Sequence, residues 1–282
     1  MSKIAVKESW KKRGKGFVFT DAAVVRKNVV HMVAEEDDVY SASIENERPH
    51  TRLISAIFSD SETMLTYSDF TGMTTSQVGS VDKPENHGLW IRPHAPGEVL
   101  LYGSGKKGEE EHIDESHTPF FKRMVNIEGY AYSVGMARRI YKRTAPGIWE
   151  LINPDMPKPL VGEELARAEA AGEPFIDFLE SGFLDMDGFS ENDLYAVGGD
   201  GDVWHFNGSD WRQMGFPSKE QINTVCCGGD GAVYIGGEGC GLWKGRESSW
   251  ERILNGGSTI LWNDLAWFDG KLWATSDYNG GY

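Results

Sequence analysis

The C-terminal part of the chain repeats itself with a period of 39 residues. Three sets of aromatic residues keep this spacing: Tyr195, Tyr234 and Trp273; Trp204, Trp243 and Tyr282; Trp211 and Trp250. A fixed period between roughly 20 and 50 residues indicates one supersecondary unit that is used several times. The repeat therefore restricts the fold to architectures built by stacking one small motif.

Each repeat has the composition of a four-stranded meander. In the copy over residues 222–253, four short β-favouring runs are separated by turns rich in Gly and Asp, at 222–227, 232–235, 242–244 and 249–253. Such runs predict antiparallel strands joined by tight turns. Four strands every ~40 residues are typical of a β-propeller blade. An irregular all-β sandwich is the alternative interpretation.

Earlier copies of the repeat are weaker but can be followed. The third blade is predicted at 121–127, 131–134, 139–142 and 148–152, and the second lies within 77–112. The first blade is predicted from strands at 29–33, 39–43, 52–58 and 64–67. An insertion over 155–180, helical in composition at 161–171, separates the third blade from the strict repeats at 185–282. We predict one propeller domain over 1–282 with six blades, five or seven being possible.

The last blade lacks its fourth strand. Its outer tryptophan would fall at about position 289 by the same 39-residue spacing, beyond Tyr282. Residues 7–12 resemble the fourth strand at 247–252, because each run places a Trp among charged residues. We therefore predict that 7–12 closes the propeller as an outer strand, which would remove the open sheet edges. A C-terminus that has been cut short and a strand supplied by a partner are the alternatives.

Charge, cysteine content and the length of apolar stretches indicate where the protein is located and what kind of partner it can bind. The chain carries 28 basic and 43 acidic residues, a net charge of −15, which argues against phosphate neutralisation of a nucleic acid. A charged partner would be basic. The three cysteines provide no disulfide framework, and no apolar stretch approaches the ~20 residues of a membrane span or the core of a signal peptide. We predict a cytoplasmic protein, a monomer or part of a heterocomplex, without membrane contact.

Meander geometry predicts where a binding surface lies. Loops between the second and third strands of each blade emerge on the same face as the connections between blades, and function concentrates on such loops. The candidate partner-binding residues on this face are Asp200, Asp202, Glu238, Asp277 and Tyr278. Turn chemistry alone is the competing explanation for Asp at these positions.

No known catalytic or metal-binding motif is present. The acidic run with His112 and His117 lacks a zinc-site spacing, and the Asp-rich stretch 185–193 lacks the Gly and closing Glu of a calcium loop. Cys226 and Cys227 fall in a predicted inner strand, and His205 is expected to pack. We predict no cofactor, no metal and no catalytic residues.

An enzyme remains the alternative. A hydrolase or lyase site at the mouth of the central channel would use Asn263 and Asp264, whose counterparts one repeat earlier are Thr224 and Val225. These four residues do not form a repeated polar set, which disfavours an enzyme site. A metal ion bound at the axis of the central channel would favour it again.

The segment 193–211 resembles the repeats of bacterial β-propeller proteins, through its Leu-Tyr-Ala-Val-Gly-Gly start and the aromatic residues that follow. The resemblance implies a fold rather than an activity, because propellers serve both as enzymes and as binding platforms. Compact, acidic propellers of this kind are similar to immunity proteins that neutralise polymorphic toxins. This resemblance implies a non-catalytic platform that covers a basic toxin, with electrostatic steering of the encounter.

Overall fold

The computed structural model describes residues 3–37, 50–60, 63–71, 75–92, 97–113, 121–157, 160, 163–172, 182–254, 259–276 and 280–281. These residues form 23 strands and two helices. None of their helices is long and apolar enough to cross a membrane.

The elements follow one another in a repeating pattern. Helix α1 spans Lys3–Gly14 and helix α2 spans Glu163–Ala171. The strands are β1 (Phe17–Arg26), β2 (Val29–Glu36), β3 (His50–Phe58), β4 (Thr63–Thr71), β5 (Gln77–Val81), β6 (His87–Ile91), β7 (Glu98–Gly103), β8 (Lys106–His112), β9 (Phe121–Ile127), β10 (Tyr130–Gly135), β11 (Arg139–Ala145), β12 (Ile148–Leu151), β13 (Asp185–Ser190), β14 (Asp193–Gly198), β15 (Asp202–Phe206), β16 (Trp211–Gln213), β17 (Ile222–Cys227), β18 (Val233–Gly237), β19 (Leu242–Arg246), β20 (Ser249–Leu254), β21 (Asp264–Phe268), β22 (Lys271–Ser276) and β23 (Gly280–Gly281).

The strands assemble into six antiparallel meanders, each made of strands consecutive in sequence. Five sheets have four strands, and the last, β21–β23, has three among the described residues. The six predicted blades are therefore confirmed. The strands predicted for the second and third blades and for 185–254 correspond to observed ones, and α2 lies in the predicted insertion.

The chain divides into two compact units, residues 1–131 with 142–150, and residues 132–141 with 151–282. In the first unit β1 contacts β5 and β5 contacts β9; in the second β13 contacts β17 and β17 contacts β21. The first strands of neighbouring sheets are thus adjacent within each unit, as a propeller requires. Gly188, Cys227 and Ala266 lie on these strands as predicted.

Apolar side chains between neighbouring sheets form the core of each unit. In the second unit Tyr195, Val197 and Val203 pack against Val225 and Ile235 of the following sheet. The first unit has an equivalent cluster in which Val33, Leu53, Val78, Trp90 and Leu100 are buried together. Alternation along each strand places these residues on the inner faces, so the hydrophobic pattern of the repeat also specifies which sheets meet.

Buried carboxylates join the first strands of neighbouring sheets. The Asp185 carboxylate accepts hydrogen bonds from Thr224 Oγ1 at 2.8 Å and from the Val225 amide at 2.9 Å. Asp187 accepts from the Cys227 amide at 2.7 Å, and in the first unit Asp21 accepts from the Val78 amide at 2.9 Å. Amides that the edge of an isolated sheet would leave unpaired are thereby satisfied by the neighbouring blade.

The predicted closing strand at 7–12 is wrong, because these residues belong to helix α1. The run is rich in Lys and Glu, which favour helices, and Gly14 and Gly16 follow its end. Trp10 packs against the cluster of Ile54, Ala56 and Leu65 in the first sheet. The Trp10 indole therefore covers one face of the first sheet, and residues 7–12 do not add a strand to the last sheet.

The first blade also differs from the expectation. Its first strand is β1, Phe17–Arg26, which precedes the first strand predicted from the sequence, at 29–33. The strand predicted at 29–33 extends over β2 to Glu36, while the strand predicted at 39–43 lies outside the described residues. The strands predicted at 52–58 and 64–67 correspond to β3 and β4, so the error concerns the first half of the blade, where the segment 29–33 is the second strand and not the first.

Candidate functional site

Loops and inter-sheet connections adjoin one another in the second unit, as meander geometry predicts. We call the surface made by residues 199–201, 218–221, 238–241 and 260–263 the loop face. The Gln221 carbonyl accepts from the Glu238 amide at 3.1 Å, and the Ile260 carbonyl accepts from the Cys240 amide at 2.7 Å. The loop at 238–241 is thus tied both to the connection that precedes its own sheet and to the connection that precedes the next sheet.

The first of these loops presents Asp200. Gly199 and Gly201 have φ of +48° and +75°, and a Cβ on Gly201 would lie 2.1 Å from the Ser218 carbonyl oxygen. Glycine at position 201 therefore allows the loop to approach the neighbouring connection. Asp200 forms a β-bridge with Gln221, and its side chain is exposed to solvent.

The second loop presents Glu238. Its amide is bound to Gln221 while its side chain is exposed, and Cys240 follows with φ of +59°. Asp200 and Glu238 therefore give the loop face two solvent-facing carboxylates held by hydrogen-bonded backbone. Whether they contact a partner stays a prediction.

Asp202 has a structural role instead. Its side chain is buried, and its carboxylate accepts from Arg138 Nε at 2.6 Å, from Trp204 Nε1 at 2.9 Å and from Gln213 Nε2 at 2.9 Å. Arg138 also donates to the Pro157 carbonyl at 3.1 Å. Asp202 thus fixes the segment after β12 to the fourth sheet. Asp277 and Tyr278, also predicted as partner contacts, lie outside the described residues.

The residues of the alternative enzyme site are engaged in joining strands. Thr224 and Val225 are buried, and Thr224 Oγ1 donates to Asp185 while accepting from the Leu265 amide at 3.1 Å. The Asn263 amide donates to Thr275, and Asp264 pairs with Thr275 in the sheet register. This hydrogen bonding links consecutive first strands and gives the two buried residues a structural function.

The cysteine and histidine side chains singled out in the sequence occupy packed positions. Burial, with the nearby Asp187 carboxylate, raises the pKa of Cys226 to about 12 and raises that of Cys227 as well. Both thiols therefore stay protonated and are poor nucleophiles at neutral pH. His205 stacks on Tyr195 with ring centroids 4.4 Å apart and contacts Asp193 at 2.9 Å, so its predicted packing role is confirmed.

Among the described residues no three His, Cys, Asp or Glu side chains converge as a metal site would require. Asp185 and Asp187 direct carboxylate oxygens at backbone amides of β17. Residues 109–112 of the acidic run belong to β8, where Glu111 is buried and accepts hydrogen bonds from Arg143, and residues 114–117 lie outside the part of the chain that the structure describes.

A groove that was not predicted from the sequence lies beside the fourth sheet. It has a volume of 230 Å³ and is lined by residues 152–157, Trp204, Phe206 and 209–211. The sequence identifies Trp204 and Trp211 only as repeat aromatics; in the structure Trp204 is buried with Arg138 over its ring, and Trp211 is half-buried. The Pro-rich segment at 154–159, which breaks the period, was the available signal.

Comparisons with known proteins support the predicted resemblance. No family model matches the chain. Immune protein Tsi7 of Pseudomonas aeruginosa is 29% identical over 259 residues, covering 88% of this chain and 79% of that relative. The resemblance to a bacterial β-propeller protein of the immunity type is thereby confirmed.

Solved structures support the fold. The structure described as YCF48 bound to D1 peptide has a TM-score of 0.60 at 11% identity, covering 93% of this chain and 76% of that one. The WD40 repeats of RRP9 have a TM-score of 0.51 at 12% identity, covering 94% of this chain and 88% of that one. At these identities the likeness concerns architecture alone. The chain is a six-bladed β-propeller that is similar in sequence to a bacterial immune protein.

Proposed function

We propose that this protein is a cytoplasmic immunity protein that binds a basic toxin protein and neutralises it by occlusion. The observation that carries the proposal is the similarity to immune protein Tsi7 over 88% of the chain. The net charge of −15 supports a basic partner, because opposite charge accelerates encounter. All three cysteines are free, which agrees with a reducing compartment.

The binding surface in this proposal is the loop face. Asp200 and Glu238 are exposed there on loops whose backbones are tied to neighbouring connections. Such carboxylates would meet Lys and Arg of the toxin with little rearrangement of this chain, which reduces the entropic cost of binding. Polar groups at the rim of an interface mainly increase the association rate, whereas buried contacts determine how long the complex lasts.

The test is neutralisation of a toxin in cells. A basic protein encoded beside this chain would be expressed in bacteria with and without it, and growth would be followed. We expect rescue by the wild-type chain and weaker rescue by the Asp200→Lys/Glu238→Lys variant. The control is Asp60→Lys/Glu251→Lys, which changes the net charge equally at exposed positions that are not part of the loop face. Failure of the wild-type chain to rescue or to bind that protein would contradict the proposal.

A further inference from the structure

Helix α1 lies on one face of the first sheet, which we call the helix face. Trp10 packs against Ile54, Ala56 and Leu65, and its ring meets that of Phe19 at 6.3 Å between centroids. The strand register and the alternation of side chains place further apolar residues on the same face as Ile54. The members that matter here are Phe19, Val24, Ile54, Phe58, Leu65 and Tyr67.

Four apolar side chains of the helix face are exposed to solvent. Val24 is 66% exposed, Tyr67 51%, Phe19 47% and Phe58 42%. Six of the eleven large apolar side chains that are exposed among the described residues belong to the first sheet, so apolar exposure is concentrated there. Apolar surface that is gathered in one place marks an interaction site, whereas single exposed residues do not.

Helix α1 adds positive charge to this apolar surface. Residues 3–15 contain six basic side chains and one acidic side chain, whereas the rest of the chain contains 22 basic and 42 acidic ones. Lys11, Lys12 and Lys15 are exposed, as is the acidic Glu8. The helix face therefore offers both cations and apolar groups to a ligand that is itself anionic and apolar.

Arg52 fixes the basic end of α1 to the sheet. Its guanidinium lies over the rings of Phe17 and Tyr67, at 4.1 and 4.3 Å from their centroids. It donates to the Asp69 carboxylate at 2.6 and 2.8 Å and to the Arg13 carbonyl at 2.6 Å. The last turn of α1 is thus held beside the exposed aromatic side chains, and the charge of Asp69 is paired within the chain.

We propose that the helix face binds the surface of an anionic lipid bilayer. Apolar and aromatic side chains enter the boundary between headgroups and acyl chains, while basic side chains meet the anionic headgroups. Five of the six basic residues in 3–15 are lysines. A lysine is a compact point charge that suits a diffuse anionic surface, whereas recognition of individual carboxylates on an acidic protein favours the planar fork of arginine.

The net charge of −15 does not oppose this contact. At physiological salt, charges separated by more than about 8 Å are largely screened, so the charge of the docked face decides. The sequence predicts no membrane contact because it lacks a stretch of spanning length, but a peripheral contact needs only a surface. The membrane contact is also independent of the proposed function, because the lysines of α1 would repel a basic toxin.

Vesicle flotation with the full chain tests the proposal. Vesicles of phosphatidylglycerol and phosphatidylcholine in equal amounts would be compared with vesicles of phosphatidylcholine alone, at low and at high salt. We expect the protein to float with the anionic vesicles at low salt, at least about tenfold less with the neutral ones, and less as salt rises. Equal flotation with both kinds of vesicle, or none with the anionic ones, would overturn the proposal.

Lysine variants test the charged part of the helix face. Lys11→Gln/Lys12→Gln removes two exposed charges and keeps residues that favour a helix, so binding to the anionic vesicles should weaken at least about tenfold. Lys107→Gln/Lys122→Gln makes the same charge change at exposed positions outside the first sheet and should stay within about twofold. Equal effects of the two variants would contradict a role for α1.

An apolar variant tests the other half of the helix face. Val24→Thr/Phe58→Thr removes apolar area while threonine still favours a strand. Binding to the anionic vesicles should weaken at least about fivefold, with the thermal unfolding of the protein unchanged. Full vesicle binding by this variant would show that the exposed apolar side chains do not enter the bilayer, and would overturn the proposal.

Two other occupants of the helix face would give different results. Binding to poly-glutamate in solution, without binding to vesicles, would assign the face to an acidic protein. A dimer in light scattering that Val24→Thr/Phe58→Thr dissociates would assign it to a second copy of the chain. Either result would overturn the membrane contact, and neither would affect neutralisation of a toxin through the loop face.

Discussion

At the scale of single residues, the carboxylates of this acidic chain divide into two kinds. Asp185 and Asp202 are buried and accept hydrogen bonds from several donors within the protein. Asp200 and Glu238 face solvent. The buried acids stabilise contacts between chain segments far apart in sequence, and the exposed ones are the charges that the proposed partner would meet.

Removal of the Asp185 carboxylate should destabilise the fold. In Asp185→Ala, the buried Thr224 hydroxyl and the Val225 amide both lose their acceptor, so we expect a loss of about 3 kcal/mol in the free energy of unfolding. Urea denaturation followed by tryptophan fluorescence measures it. Asp210→Ala, at an exposed position, should remain within about 0.5 kcal/mol. A similar small effect at both positions would contradict the structural role of Asp185.

His31 should make stability depend on pH. Its side chain is buried beside Gly88, and burial lowers its pKa from 6.5 to about 4. Between pH 6.5 and about 4, the unfolded chain therefore binds a proton at His31 that the folded chain does not bind. The contribution of neutral His31 to stability is fully present above pH 6.5 and is lost as the pH falls towards about 4. The loss should reach at most about 3 kcal/mol. His31→Leu should flatten the pH dependence of unfolding over this range, and an unchanged slope would contradict the assignment.

At the scale of elements, helix α1 shows where local resemblance misleads. Residues 7–12 share a Trp between charged side chains with β20, yet they form a helix because Lys and Glu favour it and because the first sheet offers Trp10 an apolar surface. β1 was missed although its Val, Phe and Thr residues favour a strand. Strand identity in such runs depends on which neighbour pairs with them, and sequence alone does not contain that information.

Trp10 should contribute measurably to the stability of the first sheet. Trp10→Ala uncovers Ile54, Ala56 and Leu65, so we expect a loss of about 2 to 3 kcal/mol in the free energy of unfolding. Thermal unfolding by circular dichroism provides the measurement. Trp273→Ala is the matched control, because that side chain is 49% exposed, and it should cost less. An equal loss in both variants would argue against packing of α1 on the sheet.

At the scale of the whole molecule, the period of 39 residues was sufficient to predict the sheets from β13 to β22 and their order, whereas the count of six blades also needed the weaker copies before residue 152. Tyr195 and Tyr234 are buried under the next sheet because the repeat places them on that face. The candidate site was less predictable. Asp202 follows a turn rich in Gly and Asp, so the sequence predicts it to be exposed, but it begins β15 and its partner Arg138 lies 64 positions away in another blade.

Charge acts over the whole surface, so association should respond to salt. For a complex with the proposed basic toxin, we expect the association rate to fall at least about tenfold between 50 mM and 500 mM NaCl, while the dissociation rate changes little. Asp200→Lys/Glu238→Lys should reduce the low-salt rate more than Asp60→Lys/Glu251→Lys does. Equal reductions by the two variants would place the binding surface away from the loop face.

The most direct test of the central claim is the rate of association of the purified chain with the basic protein encoded beside it, measured across that salt range. The account predicts a stable complex that forms quickly at low salt and more slowly as salt rises, and that removes the toxicity of that protein. Absence of a complex, or toxicity that persists within the complex, would contradict the account.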